Sequence, residues 1–357
     1  RKKARAILSN NKKVAVGLSG GLDSSVTCFL LKQQGYDVAA ITVKMVDDAK
    51  FEQIVKNAAA VADKIGIPHY VLDLSKEFKK DVIDYFENSY KNGLTPNPCI
   101  LCNRTIKWGR LYDYAINVLG CDYVSSGHYA RIEDADGIKK MYPAKDEKKD
   151  QQYYLFELDQ NHLQKIIFPL SGYTKDEIRK IALDNDLPSK SSKESQDICF
   201  ITKPMTTKKY ITQKFGTKKG DFVFLKTGKK VGTHEGFYQY TIGQRKGIGI
   251  AWEEPLYVVK LDAQKNIVYV GTKEDLLSTE LSLHDVKFQY PFEKEEFEAN
   301  VKIRYNMDSK PARVFVDYKN MTGRVVFDEP VASVTSGQAA VFYDKNDNHL
   351  IGGGWID

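Results

Sequence analysis

Two groups of residues in this 357-residue chain have types and spacings that could do chemistry. The first is Gly17-Leu18-Ser19-Gly20-Gly21-Leu22-Asp23-Ser24-Ser25. Its glycines let backbone N–H groups approach an anion, and its serines stand where a helix would begin, at the positive end of the helix dipole. The chemistry would be phosphate binding. A kinase-type loop requires Gly-Lys-Ser/Thr and a dinucleotide loop G-x-G-x-x-G, and neither spacing occurs. A Gly-rich turn with serine caps is the plainer alternative.

The second group is cysteines. Cys99 and Cys102 form a Cys-x-x-Cys within Thr95-Pro96-Asn97-Pro98-Cys99-Ile100-Leu101-Cys102-Asn103, and Cys199 lies in Ser195-Gln196-Asp197-Ile198-Cys199-Phe200. Alone, Cys-x-x-Cys is half a zinc site, a redox motif or part of a cluster ligand set. No second Cys-x-x-Cys or His pair completes a zinc site. Cys28, on the apolar face of the first helix, and Cys121, entering a strand, read as buried small hydrophobes. Five cysteines scattered through a long chain suit cytosolic thiols better than a disulfide framework.

Regular elements must position these groups. The apolar run Val14 to Leu18 leads into the Gly-rich loop, and Val26, Phe29 and Leu30 then recur at helical spacing. Val38 to Val43 reads as a second strand before an amphipathic helix from Phe51 to Ile65. Tyr70 to Leu74 is a third, before a helical stretch near Phe78 to Tyr90. Tyr123 to Ser125 is a fourth, after a helix around Ile106 to Leu119. Strands alternating with helices predict an α/β fold with a parallel sheet that binds ligands at the carboxyl ends of its strands, where the loop falls. After about residue 205 helical periodicity disappears. Short runs such as Phe222-Val223-Phe224, Tyr257-Val258-Val259, Ile267 to Val270, Ala312 to Asp317, Gly323 to Phe327 and Ala339 to Tyr343 favour a small β-rich central domain and a C-terminal β-barrel.

With 42% hydrophobic residues the chain can bury a sizeable core. No apolar run approaches the roughly 20 residues of a membrane helix, and the basic start Arg1 to Lys13 lacks the apolar core of a secretory signal. The net charge of +6 and the pairs Lys12/Lys13, Lys148/Lys149, Lys208/Lys209, Lys218/Lys219 and Lys229/Lys230 suit a phosphate-rich partner, against the plainer reading of a solvated face.

Ser-Gly-Gly-x-Asp-Ser resembles the signature of the ATP pyrophosphatase (PP-loop) family, whose members cleave ATP between its α and β phosphates and adenylate a substrate oxygen. The strings Thr95 to Asn103, Gly127-His128-Tyr129-Ala130-Arg131, Lys149-Asp150-Gln151, Ser195 to Phe200 and Tyr240-Thr241-Ile242-Gly243-Gln244-Arg245-Lys246-Gly247 closely resemble, in order and over nearly the whole chain, the bacterial tRNA-specific 2-thiouridylases. The resemblance implies an ATP pyrophosphatase domain over residues 1–203, a central β-rich domain over 204–275 and a tRNA-binding barrel over 276–357. It implies adenylation and thiolation of the wobble uridine in tRNAs for Lys, Glu and Gln. Exchange of oxygen for sulfur needs a leaving group, a sulfur nucleophile and a second thiol that releases the sulfur, leaving a disulfide.

By that resemblance Cys199 carries the persulfide and Cys102 is nucleophile and resolving thiol. Gly17, Leu18, Ser19, Gly20, Gly21, Leu22, Asp23 and Ser24 hold ATP, with Val43 and Gly127 against the nucleotide and Mg²⁺ near Asp23. Asn97, Pro98 and Cys99 line the pocket for the target base, and His128, Lys149, Asp150, Gln151, Arg304, Tyr305 and Gln338 touch tRNA. An iron–sulfur cluster on Cys99, Cys102 and Cys199 stays open as the less favoured alternative. The implied partners are tRNA and a persulfide donor, either a sulfur-relay protein or a cysteine desulfurase, with the enzyme a cytoplasmic monomer and no membrane involved. One departure concerns the stretch Thr42 to Asp48, which runs almost directly into the helix at Phe51 where many members carry a longer insert; Val43 stands where a Met usually contacts adenine. The rival readings are another adenylating PP-loop tRNA-modifying enzyme and a noncatalytic RNA-binding protein.

Overall fold

The computed structural model describes residues 12–47, 49–192, 198–202 and 204–357, so residues 1–11 of the basic start and Ser195-Gln196-Asp197 lie outside the described residues. The chain divides into two units that are not consecutive in sequence. One comprises Arg1–Val82, Cys99–Gln196 and Asp347–Leu350; the other comprises Ile83–Pro98, Asp197–Asn346 and Ile351–Asp357.

In the first unit β1 (Lys13–Gly17), β2 (Asp37–Lys44), β3 (His69–Asp73) and β4 (Tyr123–Ser125) are joined, beyond a hairpin of β5 (Arg131–Ala135) and β6 (Ile138–Tyr142), by β7 (Ile166–Ile167). The sheet order is β3-β2-β1-β4-β7, all parallel. Val14, Ala15 and Val16 are fully buried, as a continuous apolar strand requires when helices cover both faces. Val14, Val16 and Leu18 pack with Cys28 and Leu31 of α1 (Leu22–Gln33) and with Ala58, Val61 and Ala62 of α2 (Ala49–Ile65). Leu22, Val26 and Leu30, also on α1, pack with Ile178 and Ala182 of the helix Lys175–Asp184. The strand order reverses beside β1, with β2 on one flank and β4 on the other, which makes the carboxyl end of β1 the crevice of an α/β sheet. The parallel sheet expected from sequence is present. The hairpin was not anticipated, although its turn, Asp136-Gly137 with both φ positive, is a strong hairpin signal.

In the second unit β8 (Gly220–Phe224), β9 (Lys230–His234), β10 (Tyr257–Asp262) and β11 (Ile267–Gly271) form a sheet of order β10-β11-β8-β9 in which β8 and β11 run parallel. Its core of Phe222, Val258, Val268 and Val270 also takes in Phe86 and Ile211. Ile211 belongs to the helix Thr207–Phe215, which corrects the expectation that helices end near residue 205. Thr206 caps it by accepting the Lys209 N–H, and Ile211 is its sole buried residue, a stripe too thin to register as periodicity. The chain then forms β12 (Leu277–Phe288), β13 (Glu296–Lys302), β14 (Lys310–Asp317), β15 (Thr322–Ala332), β16 (Ala339–Tyr343) and β17 (Leu350–Ile356). Their order is β12-β15-β14-β13-β16-β17, and β12 also pairs with β17, closing a six-stranded barrel around Val301, Val314, Val325 and Phe342. No helix of the described residues is long and apolar enough to cross a membrane.

Candidate active site

The loop after β1 is anchored on β2. The Leu18 N–H donates to the Ile41 carbonyl at 2.8 Å, and the Thr42 hydroxyl donates to the Leu18 carbonyl at 2.7 Å. Thr42 Oγ1 also lies 2.7 Å from His69 Nε2, so the imidazole must be the donor there. Gly20 has φ +72°, and a Cβ on it would fall 2.9 Å from Asn57 Cβ and 3.1 Å from the Ile54 carbonyl oxygen, so this position needs glycine. The serines fold the loop on itself: Ser24 Oγ accepts the Ser19 N–H at 3.2 Å, and the Ser25 hydroxyl donates to the Gly21 carbonyl at 2.7 Å. Gly21, which precedes α1, offers no side-chain cap. The N–H groups of the first turn therefore suit an anion, and the loop fits a polyphosphate. From the other side Gly127, just after β4, comes so close that a Cβ would lie 2.9 Å from Asp23 Cβ and from the Ser24 nitrogen.

Asp23 is the charged centre of the loop, and it is already partnered. Lys175 Nζ donates to both carboxylate oxygens at 2.7 Å, and the Tyr129 hydroxyl donates to Oδ1 at 2.9 Å. The Lys175 side chain is only 10% exposed. Sequence reasoning missed Lys175. A signal existed, because a lysine in the first position of a helix opposes the dipole, and Thr174 and Glu177 already complete a capping box there. Val43 is half-buried near the carboxyl end of β2, in register with Leu72 of β3.

Cys102 ends the helix Pro98–Cys102, which continues as a π-helical stretch over Asn103–Leu111, a form frequent at functional sites. Cys102 is buried, and burial pushes its thiol up to about 11, with the Lys107 charge pulling the other way. Cys99 reaches solvent, yet protein packed on its other sides also raises its pKa. His128 is buried with Nδ1 2.6 Å from Ser126 Oγ, its ring centroid 6.0 Å from that of Trp108 and 5.8 Å from that of Phe168. Burial, then Lys107, holds His128 well below the usual imidazole range, so it is neutral at pH 7. Gln151 Oε1 accepts the Tyr129 N–H at 3.0 Å. Asp150 accepts the N–H groups of Ala144 at 2.9 Å and Gln152 at 3.1 Å, while Lys149 beside it is half-buried. These bonds hold the segment after the hairpin in shape, a role that the tRNA-contact expectation did not include.

The second unit holds the remaining candidates. Asn97 and Pro98 are buried and Cys199 is exposed. Gln338 Nε2 donates to the Thr95 carbonyl at 2.8 Å, and the Thr95 N–H donates to the Ser336 carbonyl at 2.9 Å. Arg304 donates to the Ile242 carbonyl at 3.0 Å and to Thr335 Oγ1. Lys302 Nζ sits 5.4 Å from the centre of the Tyr305 ring. The first unit thus carries the loop, Val43, Gly127, Lys175, Cys99, Cys102, His128 and Lys149 to Gln151; the second carries Asn97, Pro98, Cys199, Arg304, Tyr305 and Gln338.

Three family models match in succession: the tRNA methyl transferase HUP domain over residues 12–203, the tRNA methyl transferase PRC-barrel domain over 208–272 and the aminomethyltransferase beta-barrel domain over 278–356. The tRNA-specific 2-thiouridylase MnmA of Clostridium acetobutylicum is 43% identical, the match covering 97% of this chain and 99% of that one. The chain belongs to the tRNA-specific 2-thiouridylase family. Two further 2-thiouridylases, MnmA 1 of Clostridium botulinum strain Langeland at 43% and MnmA 2 of Clostridium tetani at 44%, match over the same shares. As a 2-thiouridylase the protein is a tRNA sulfurtransferase, its substrate is tRNA, and its fold suggests ATP use.

Proposed function

We propose that the enzyme adenylates O2 of the wobble uridine in tRNAs for Lys, Glu and Gln and replaces that oxygen with a persulfide sulfur carried on Cys199. In this reading O2 attacks the α phosphorus of ATP, the bond to the bridging oxygen breaks, and pyrophosphate leaves; Mg²⁺ accompanies the nucleotide and offsets its charge. The terminal persulfide sulfur attacks C2 and AMP departs. Cys102 then attacks Cys199 Sγ, the S–S bond breaks, the sulfur stays on the base, and a Cys102–Cys199 disulfide remains for a thiol reductant to reopen. Residues 1–203 serve as the ATP pyrophosphatase domain, 204–275 as the central domain and 276–357 as the tRNA-binding barrel. The base enters unstacked beside Asn97, Pro98 and Cys99, since single-stranded bases are read after being splayed out. His128, Lys149 to Gln151, Arg304, Tyr305 and Gln338 touch the tRNA. The setting is a cytoplasmic monomer fed by a sulfur-relay protein or a cysteine desulfurase.

The observation that carries the reading is the start of α1, left without a side-chain cap, on a loop whose backbone is held in shape because Gly20 packs directly on α2 and Gly127 directly on Asp23 and Ser24. Burial favours the neutral Cys102 thiol, so a proton must leave it in the resolving step, and Lys107 is the charge that assists. The test is nucleoside mass analysis of tRNA after incubation with ATP and a persulfide donor. Thiolation that proceeds without ATP, or fails to appear, would sink the proposal.

A further inference from the structure

The geometry points to Lys175 as a phosphate-binding residue of this loop, a cation held on Asp23 until the β and γ phosphates of ATP arrive. The inference rests on the reading of the loop as a nucleotide site. The chain gives Lys175 no local reason to be a lysine. It is the first residue of its helix, where an ammonium opposes the dipole. Its N–H is taken by Asp146 Oδ2 at 2.9 Å, and Thr174 and Glu177 satisfy the rest of the helix start. Its side chain instead reaches across to the loop, where it meets Asp23 and lies 5.9 Å from the centre of the Tyr129 ring.

Desolvating a lysine costs about as much as a buried ion pair returns, so the pair is weak evidence for a stabilising role. Its position is more informative. A polyanion entering this loop meets the Asp23 carboxylate on the first turn of α1, and an uncompensated carboxylate would repel it. The loop carries no lysine of its own, unlike the kinase-type loop whose lysine reaches the β and γ phosphates. Lys175 supplies that charge from another helix. An ammonium has three N–H donors and Asp23 engages two, which leaves a third for a phosphate oxygen. Gly127 pressed against Asp23 and Ser24 fixes the backbone on which the carboxylate is mounted, so the pair is set at the phosphate cradle rather than beside it.

The experiment is calorimetric titration of the full chain with ATP and with AMP, without tRNA, for wild type, Lys175→Met and Asp23→Asn. Because Lys175 addresses phosphates that AMP lacks, Lys175→Met should weaken ATP binding about tenfold or more while shifting AMP binding less than about threefold. Asp23→Asn, which keeps the lysine, should keep the preference for ATP over AMP. Unchanged ATP affinity in Lys175→Met, or equal weakening toward ATP and AMP, overturns the inference and leaves Lys175 as a fastener of the loop. Should Lys175→Met not fold, Lys175→Gln, which can still donate to Asp23, is judged by the same two criteria. A wild-type chain that binds no ATP overturns the nucleotide reading of the loop together with this inference, whereas normal wild-type binding beside an unaffected Lys175→Met overturns this inference alone.

Discussion

Gly127 lies against Asp23 so closely that a Cβ on the glycine would come within 2.9 Å of the Asp23 Cβ. The same added atom would press on the Ser24 nitrogen, one of the first-turn N–H groups that face the phosphates in the proposed site. Gly127→Ala should therefore push the loop out of shape, with a stability loss of about 1 to 3 kcal/mol from overpacking and a marked loss of ATP affinity. Thermal melting and ATP titration of the variant test this, and wild-type ATP binding would show that the loop tolerates the shift.

Lys107 acts on two residues at once, lowering the pKa of both Cys102 and His128. With the Cys102 thiol up at about 11, its alkylation rate should climb about tenfold per pH unit between pH 7 and 10, as the thiolate fraction does. Lys107→Met should slow that alkylation at fixed pH, because the thiolate loses a stabilising charge. The same substitution should move the His128 titration upward, because the imidazolium loses a repelling one. Mass spectrometry of the Cys102 peptide and histidine NMR follow the two effects separately, and movement of His128 downward would contradict the shared cause.

Acid should destabilise the fold through His128. Its folded pKa lies well below 6.5 while the unfolded chain keeps about that value, so the unfolded state takes up a proton that the folded state refuses. Stability is then whole above about pH 6.5 and falls below it, by about 1.4 kcal/mol per pH unit for each such proton. Burial also depresses His69 and His234, so His128→Phe should reduce this slope rather than abolish it. Denaturant titrations from pH 5 to 8 supply the slopes, and an unchanged slope would remove His128 as a contributor.

The two cysteines should separate cleanly in function. Cys199→Ser is expected to abolish thiolation while tRNA-dependent pyrophosphate release continues, since the ATP chemistry is placed on the loop around Asp23. Cys99→Ser should keep substantial activity if Cys99 only lines the base pocket. Iron-dependent absorbance in anaerobically purified protein that is lost in Cys99→Ser along with activity would favour the cluster alternative.

Binding of tRNA should weaken steeply with salt, log K falling roughly 0.7 to 0.9 per log unit of salt for each phosphate contacted. Gln338→Leu removes the bond to the Thr95 carbonyl and should cost about 1 kcal/mol of stability. It should also loosen the Asn97-Pro98 approach, so thiolation should fall more than tRNA affinity. A variant that loses affinity alone would show that Gln338 acts only through its proposed tRNA contact and that its bond to Thr95 does not brace the site.

What could be read from the sequence was what is local and periodic. Val14 to Val16 announced a central strand because three successive apolar residues leave no polar face, and Cys28 and Cys121 proved buried as small hydrophobes. Gly20 stood out because a glycine-rich loop reveals where a backbone must come close, whereas Gly127 was named only through the family resemblance. The Lys175 pairing with Asp23 was illegible because 152 positions separate partners that only the sheet topology brings together. Asp150, Gln151, Arg304 and Gln338 could be named from motifs, but not the intramolecular bonds that occupy them, since a polar side chain looks the same whether it faces RNA or its own backbone. The hairpin of β5 and β6 was hidden by Arg131, Glu133, Asp134, Lys139 and Lys140, which give its strands the look of a solvated loop.

The bond from Gln338 to Thr95 joins positions 243 apart in the sequence. During synthesis the Thr95 to Pro98 segment leaves the ribosome long before its brace is made, and the barrel that presents Gln338 can close only when β17, the last strand, pairs with β12. The segment proposed to hold the base is thus braced from a strand region far downstream of it in the chain. A nascent chain with its α/β sheet already folded would still lack that brace, so the Thr95 to Pro98 segment takes its final shape only after the barrel has formed.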